Sequence, residues 1–240
     1  LAKAPFDPRA SLDELLHTAR SRFGEVEFQE VGLSGGPLEI LQIRDMTAYI
    51  DKIVARAGNS GDVQLPLWAK IWPGSVVLSM YLERCPLVEH GRYLEIGAGV
   101  GLAGLILARR GVHVTLTDLE PDALLFCRIN ALRNGLEQNV DVVAADFTRD
   151  RLEGTFDGIL GGEVLFRQSM FEPLGAFLGA HLAPRPDAEI VLSVDSQREG
   201  IPFFKAVCTD YAIMRQDVPF SDKDSGEQRT ACLYRMRRKS

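Results

Sequence analysis

Apolar residues Leu12, Leu15, Leu16 and Ala19 recur at the spacing of one helix face. Ser11 stands before them and Glu14 three residues on, so the pattern predicts a helix over residues 11–22 that starts in a capping box. Residues 25–31 and 38–43 are short segments with recurring apolar positions joined by the turn-rich segment 32–37, and predict two strands. Asp45 is placed to cap a helix running to about residue 57. The run Gly58-Asn59-Ser60-Gly61 breaks the pattern. We read residues 1–61 as an N-terminal extension and 62–240 as the main domain.

Beyond that break the periodicity switches repeatedly between helix and strand. Helices are predicted at 74–84, 102–110, 122–134, 171–182 and 201–209, with Gly135 placed to end the third. Strands are predicted at 92–96, 113–118, 140–144, 156–160, 189–194, 211–216 and 228–236. Strand–helix alternation implies a doubly wound, mostly parallel α/β sheet. The last two strands have only the polar loop 217–227 between them, and so predict an antiparallel C-terminal hairpin. Seven strands closed in this way make a Rossmann-like fold with an unusual ending.

Chemistry concentrates where the first of these strands ends: Tyr93-Leu94-Glu95-Ile96-Gly97-Ala98-Gly99-Val100-Gly101. Glycines at such a strand–helix turn let the backbone approach a nucleotide-type ligand closely. The acid ending the next strand, Asp118, is placed to accept from ribose hydroxyls. Gly99-x-Gly101-x-x-Gly104 also satisfies the dinucleotide fingerprint, so a nicotinamide or flavin cofactor competes for this loop. A carboxylate at Glu95 would repel a pyrophosphate and suit a cationic amino group. Asp146 and Glu163 follow the third and fourth core strands, at the edge where ligands converge. These features favour S-adenosylmethionine as cofactor.

Composition narrows the partners. The chain has 240 residues, 46% hydrophobic and 25% charged, with a net charge of -6. That balance argues against broad electrostatic binding of nucleic acid or anionic membranes. No apolar run is long enough to span a bilayer, and residues 1–9 hold no signal-peptide core. Cys85, Cys127, Cys208 and Cys232 are scattered, which speaks against a zinc or disulfide framework and for a reducing, cytoplasmic setting. His17, His90, His113 and His181 form no cluster, so no metal site is expected. His113 is expected to be packed, and the basic end 235–239 to be a solvated tail.

The chain resembles the class I, seven-strand methyltransferases that use S-adenosylmethionine, and within them the protein lysine methyltransferase branch. The likeness spans roughly residues 65–195. It is carried by Leu67-Trp68-Ala69-Lys70-Ile71-Trp72-Pro73-Gly74, Glu95-Ile96-Gly97-Ala98-Gly99-Val100-Gly101, Thr117-Asp118-Leu119, Ala145-Asp146-Phe147 and Gly162-Glu163-Val164-Leu165-Phe166. The resemblance implies transfer of a methyl group to an amine, with a lysine side chain of a protein as the expected acceptor. It implies that Trp72, Glu95, Gly97, Ala98, Gly99, Gly101, Asp118, Leu119, Asp146 and Phe147 bind the cofactor, and that Glu163 and Phe166 line the acceptor site. Trp68 is divided between core packing and the site. An ordinary turn acid is the competing role for Asp146. Helix capping is the competing role for Asp118, although Asp122 is better placed for that job. Two departures stand out. The branch usually carries Asp-x-x-Tyr where this chain has Glu163-x-x-Phe166, and often Trp where it has Phe147. A small-molecule methyltransferase, a nicotinamide-dependent oxidoreductase and an inactive cofactor-binding protein remain as alternatives.

Overall fold

The computed structural model describes residues 6–32, 34–57, 65–197, 200–221 and 226–239. The first helix, α1 (Leu12–Phe23), opens as its sequence demands. Ser11 Oγ accepts from the Glu14 amide, and Glu14 returns a bond to the Ser11 amide at 2.7 Å. Its buried face is Leu15, Leu16, Ala19 and Phe23. A two-stranded antiparallel hairpin follows, β1 (Val26–Val31) and β2 (Leu38–Ile43). Asp45 then accepts from Ala48 N at 2.8 Å at the start of α2 (Met46–Ala57). The predicted break at 58–61 lies outside the described residues, as does the boundary drawn there.

Next come α3 (Pro73–Leu82), β3 (Arg92–Ile96), α4 (Leu102–Arg109), β4 (His113–Asp118), α5 (Pro121–Arg133), β5 (Val140–Ala144) and β6 (Gly158–Gly162). The chain continues through α6 (Phe171–His181), β7 (Glu189–Asp195), α7 (Ile201–Val207), β8 (Tyr211–Ser221) and β9 (Gln228–Arg238). The main sheet runs β5-β4-β3-β6-β7-β9-β8. Strands β3 to β7 are parallel to one another, while β9 is antiparallel to β7 and to β8. The mostly parallel sheet and its antiparallel C-terminal hairpin are those expected from the alternation. Strand order reverses between the parallel neighbours β3 and β6, so a crevice opens at their carboxyl ends, where such sheets bind ligands.

Strand alternation divides the interior into two apolar clusters. Tyr93 of β3 joins a cluster with α1, α4, α5 and the N-terminal hairpin. Leu94 and Ile96 join a second with α6, α7 and β7. The N-terminal helix and hairpin therefore pack into the same core as the nucleotide-binding half of the sheet.

Three expectations shift. The fourth core strand was expected at 156–160, ending before the glycines, and is instead β6 at Gly158–Gly162. Glycines read as strand breakers, yet Gly161 and Gly162 pair with Leu192 and Ser193 of β7, and a Cβ on Gly162 would lie 2.7 Å from Ser75 Oγ. Close packing of α3 on the sheet edge thus requires the residue that propensity disfavours. The basic end is a working part of β9: Arg235 and Arg237 pair with Glu189, and Lys239 Nζ donates to Cys208 O. His113 is half-exposed and pairs with Asp141 at 2.8 Å instead of packing in the core.

Candidate active site

Strand β3 delivers Glu95 to the crevice. Ile96 points into the opposite cluster, so Glu95 faces the helix α4 side and is buried. Its Oε2 accepts from Gly104 N, in the first turn of α4, at 2.7 Å. Desolvation, reinforced by the nearby Asp118 charge and opposed by the Gly104 amide, pushes the Glu95 carboxyl up to about 8. The turn between β3 and α4 is built on left-handed glycines: φ is +58° at Gly97, +55° at Gly99 and +81° at Gly101. Gly97 is exposed to the crevice, while Ala98 is buried beneath it.

Asp118 ends β4 directly beside this turn. Its Oδ2 accepts from Gly99 N and its Oδ1 from Glu120 N, each at 2.9 Å. Burial raises its pKa against these amides. The residue at the N-cap of α5 is Glu120, without a side-chain cap, and Asp122 pairs with Arg22 at 2.8 Å. The capping expected of Asp122 is therefore not seen. Leu119, next in the chain, is exposed.

After β5, Asp146 Oδ1 accepts from Thr148 N and Thr148 Oγ1, and Oδ2 pairs with Arg149 at 3.0 Å. Desolvation acts to raise its pKa, but the Thr148 bonds and the Arg149 charge outweigh it and hold the carboxyl below its usual range. Asp146 thus organises its own turn. Phe147 is half-buried, 6.4 Å from the Phe177 ring.

At the end of β6, Glu163 is held in a left-handed conformation with φ +59°, rare for a residue with a side chain. Its amide donates to Ser193 O of β7 at 2.8 Å, which anchors the turn. The carboxylate lies against Gly74, the second residue of α3; a Cβ there would overlap Oε1. The glycine of Trp72-Pro73-Gly74 is thereby explained: it admits the Glu163 carboxylate to a helix N-terminus, where the dipole favours negative charge. Trp72 is the N-cap of α3 and is fixed by its indole N–H donating to Leu67 O at 2.8 Å. Lys70 lays its ammonium over the Trp72 ring, 5.4 Å from the centroid. Phe166, past Glu163, is half-exposed. Trp68 packs edge-on against Phe23 and Phe126 in the core, but its carbonyl presses on Gly99.

The structure therefore brings Trp72, Glu95, the glycine turn, Asp118, Leu119, Asp146, Phe147, Glu163 and Phe166 to one sheet edge. Two further residues touch the turn from below and carried no sequence signal: Cys127 and Asn130 of α5, whose side chains bond Gly99 O and Val100 O. Among the described residues no group of three His, Cys, Asp or Glu is placed to hold a metal ion, and no helix is long and apolar enough to cross a membrane.

Residues 62–209 match a protein family described as lysine methyltransferase. The chain belongs to the lysine methyltransferase family. Protein N-lysine methyltransferase METTL21A of Mus musculus is 38% identical over 124 residues, 48% of this chain and 56% of the relative. Histone-arginine methyltransferase METTL23 of Mus musculus is 30% identical over 186 residues, 72% of this chain and 68% of the relative. The chain spans about half the length of the METTL21A relatives it matches. Among solved structures, the N-methyltransferase NodS of Bradyrhizobium japonicum WM9, bound to S-adenosylhomocysteine, shares the fold with a TM-score of 0.53. It is 17% identical, covering 69% of this chain and 84% of that one.

S-adenosylmethionine is the methyl donor that fold and family imply, and the residues fit it. In dinucleotide folds the helix after the glycine turn offers its first amides to a pyrophosphate. Here Glu95 occupies one of them, Gly104 N, and Asp118 adds a second buried carboxylate under the turn. Carboxyl groups placed here take the amide a phosphate would need and can receive an ammonium. The turn also tolerates no side chain at Gly99, where a Cβ would stand 2.8 Å from Trp68 O at positive φ. Gly99→Ala is expected to cost about 1–3 kcal/mol. It should lower both the melting temperature and the affinity for S-adenosylhomocysteine, read by calorimetry.

Proposed function

We propose that this protein transfers a methyl group from S-adenosylmethionine to a nitrogen of a protein side chain, with lysine as the acceptor. One observation carries the choice of cofactor: the Glu95 carboxylate on the α4 N-terminus, where a nicotinamide enzyme would need phosphate. Glu95, Gly97, Ala98, Gly99 and Gly101 hold the methionine end, Asp118 and Leu119 the ribose, and Asp146 and Phe147 the adenine. Trp72 faces the sulfonium.

The bound cofactor supplies an electrophilic methyl group on a cationic sulfur. Everything else falls to the chain. Glu163, at the end of β6 and against the α3 N-terminus, holds the incoming amine in line, and alignment alone lowers a barrier by several kcal/mol. Trp72 and Phe166 exclude water from the amine, and desolvation lowers its pKa toward the neutral, nucleophilic form. A charged carboxylate opposes that shift, so Glu163 positions the amine and does not act primarily as a base. The Trp72 ring already carries the ammonium of Lys70, which supports its capacity to receive a cation. Leu67 and Phe166 are exposed apolar side chains that a protein substrate could cover. All four cysteines are free, in keeping with a reducing compartment, and we place the enzyme in the cytoplasm.

Arginine is the second reading. The relative named a histone-arginine methyltransferase aligns over 72% of this chain, and a Glu carboxylate can accept a guanidinium through two parallel bonds. Incubating the protein with methyl-labelled S-adenosylmethionine and a cell lysate, then mapping label by mass spectrometry, separates these readings. Label on lysine of a discrete protein is expected. Label on arginine selects the second reading, and label confined to small molecules overturns both. Calorimetric binding of NADH in place of S-adenosylhomocysteine would reject the cofactor.

A further inference from the structure

We propose that α5 clamps the cofactor turn from beneath, and that Asn130 makes the N-terminal hairpin part of that clamp. This inference rests on the reading that the turn holds S-adenosylmethionine. Asn130 is completely buried and bonded on both sides of its amide. Nδ2 donates to Val100 O at 2.9 Å, and Oδ1 accepts from Leu41 N of β2 at 2.8 Å. One turn earlier on the same helix face, the Cys127 thiol donates to Gly99 O at 3.2 Å.

Two successive carbonyls of the turn are thus drawn toward α5. Each peptide unit is planar and trans, so fixing its oxygen aims its N–H away from the helix. Gly99 and Gly101, both at positive φ, have no side chain to restrict them otherwise. Asp118 and Ala98 O hold the Gly99 and Gly101 amides, and the polar side chains of α5 fix the carbonyls between them. Loss of Asn130 leaves a buried carbonyl and a buried amide unpaired at once, in two different parts of the fold.

The same side chain links the two parts. If ligand binding favours the Val100 orientation that Asn130 holds, it must also favour the Leu41 bond, because coupling between sites is reciprocal. Asn134, one turn on, provides a control. It binds Glu39 N at 3.0 Å and Glu39 O at 2.9 Å, and so ties the hairpin to α5 without touching the turn. Asn130 is therefore a positioning residue, and β2 is the element it couples to the site.

Amide hydrogen exchange at Leu41, with and without saturating S-adenosylhomocysteine, tests this on the unaltered protein. We expect the ligand to slow exchange at Leu41 at least fivefold beyond any slowing in β7 and β9. Asn130→Ala should abolish that extra protection and weaken S-adenosylhomocysteine binding about tenfold. Asn134→Ala should leave binding within twofold. Unchanged Leu41 exchange in a protein that calorimetry shows to be saturated overturns the coupling, even if Asn130→Ala fails to fold. Wild-type affinity in a folded Asn130→Ala overturns the clamp. Absence of S-adenosylhomocysteine binding to the unaltered protein instead rejects the cofactor reading beneath it.

Discussion

Glu163→Gln is expected to lower methyl transfer about 100-fold, the worth of a charge-assisted hydrogen bond to an aligned amine. S-adenosylhomocysteine affinity should stay within about threefold, since Gln differs from Glu by little more than its charge. The substitution keeps the volume that packs against Gly74. It keeps the backbone amide that donates to Ser193 O, and it leaves the cost of the left-handed φ unchanged. What it removes is the negative charge that the proposed function sets against the acceptor. Single-turnover kinetics with labelled cofactor, beside calorimetry on the same preparation, separates the two effects. Turnover within twofold of the unaltered protein would remove Glu163 from the acceptor site. Parallel loss of turnover and cofactor affinity would make it a structural residue.

Glu95→Gln should act on the other side of the reaction, weakening cofactor binding about 10- to 100-fold by removing the buried charge that receives the ligand's ammonium. Its pH signature is distinctive. Desolvation chiefly, with help from the Asp118 charge, holds Glu95 near 8 in the ligand-free protein, so at pH 6 it is protonated. An ammonium beside it stabilises the carboxylate, lowers its pKa and expels the proton. Affinity should therefore rise between pH 6 and pH 8, approaching about tenfold per unit, and the Gln variant should lack this dependence. Calorimetry in buffers of different ionisation enthalpy would register the released proton. Stability moves the opposite way. The folded pKa lies above the ordinary 4.5. This group's stabilising contribution is thus complete below about 4.5 and is lost as pH rises through about 8. Without ligand, Glu95→Gln should melt above the unaltered protein at pH 8.5 and show no such advantage at pH 5. A flat pH profile of binding in the unaltered protein would remove Glu95 from the cofactor site.

Both residues were legible because each ends an apolar strand at a place where the parallel α/β plan converges on ligands. The alternation of 3.6 and 2.0 periodicity made that plan readable, and the polar loop after β8 made the antiparallel ending readable. Boundaries failed where local propensity and packing disagree. Gly161 and Gly162 look like the end of a strand, but β7 and α3 hold them in one. The basic residues 235–239 look like a tail, yet Glu189 draws Arg235 and Arg237 into the sheet. The partners of the Asp146 carboxylate, Thr148 and Arg149 of its own turn, were not legible either.

By itself, then, the sequence determined the layered fold, the glycine turn, and the acids at the strand ends, because these depend on periodicity and on residues adjacent in the chain. It did not determine which amides those acids would meet. Whether Glu95 takes the first turn of α4, whether Glu163 reaches the α3 N-terminus past Gly74, and whether Asn130 joins Val100 to Leu41 are decided by how separate elements pack against one another. Such bonds follow from tertiary packing, which buries each polar group only where a partner is brought to it.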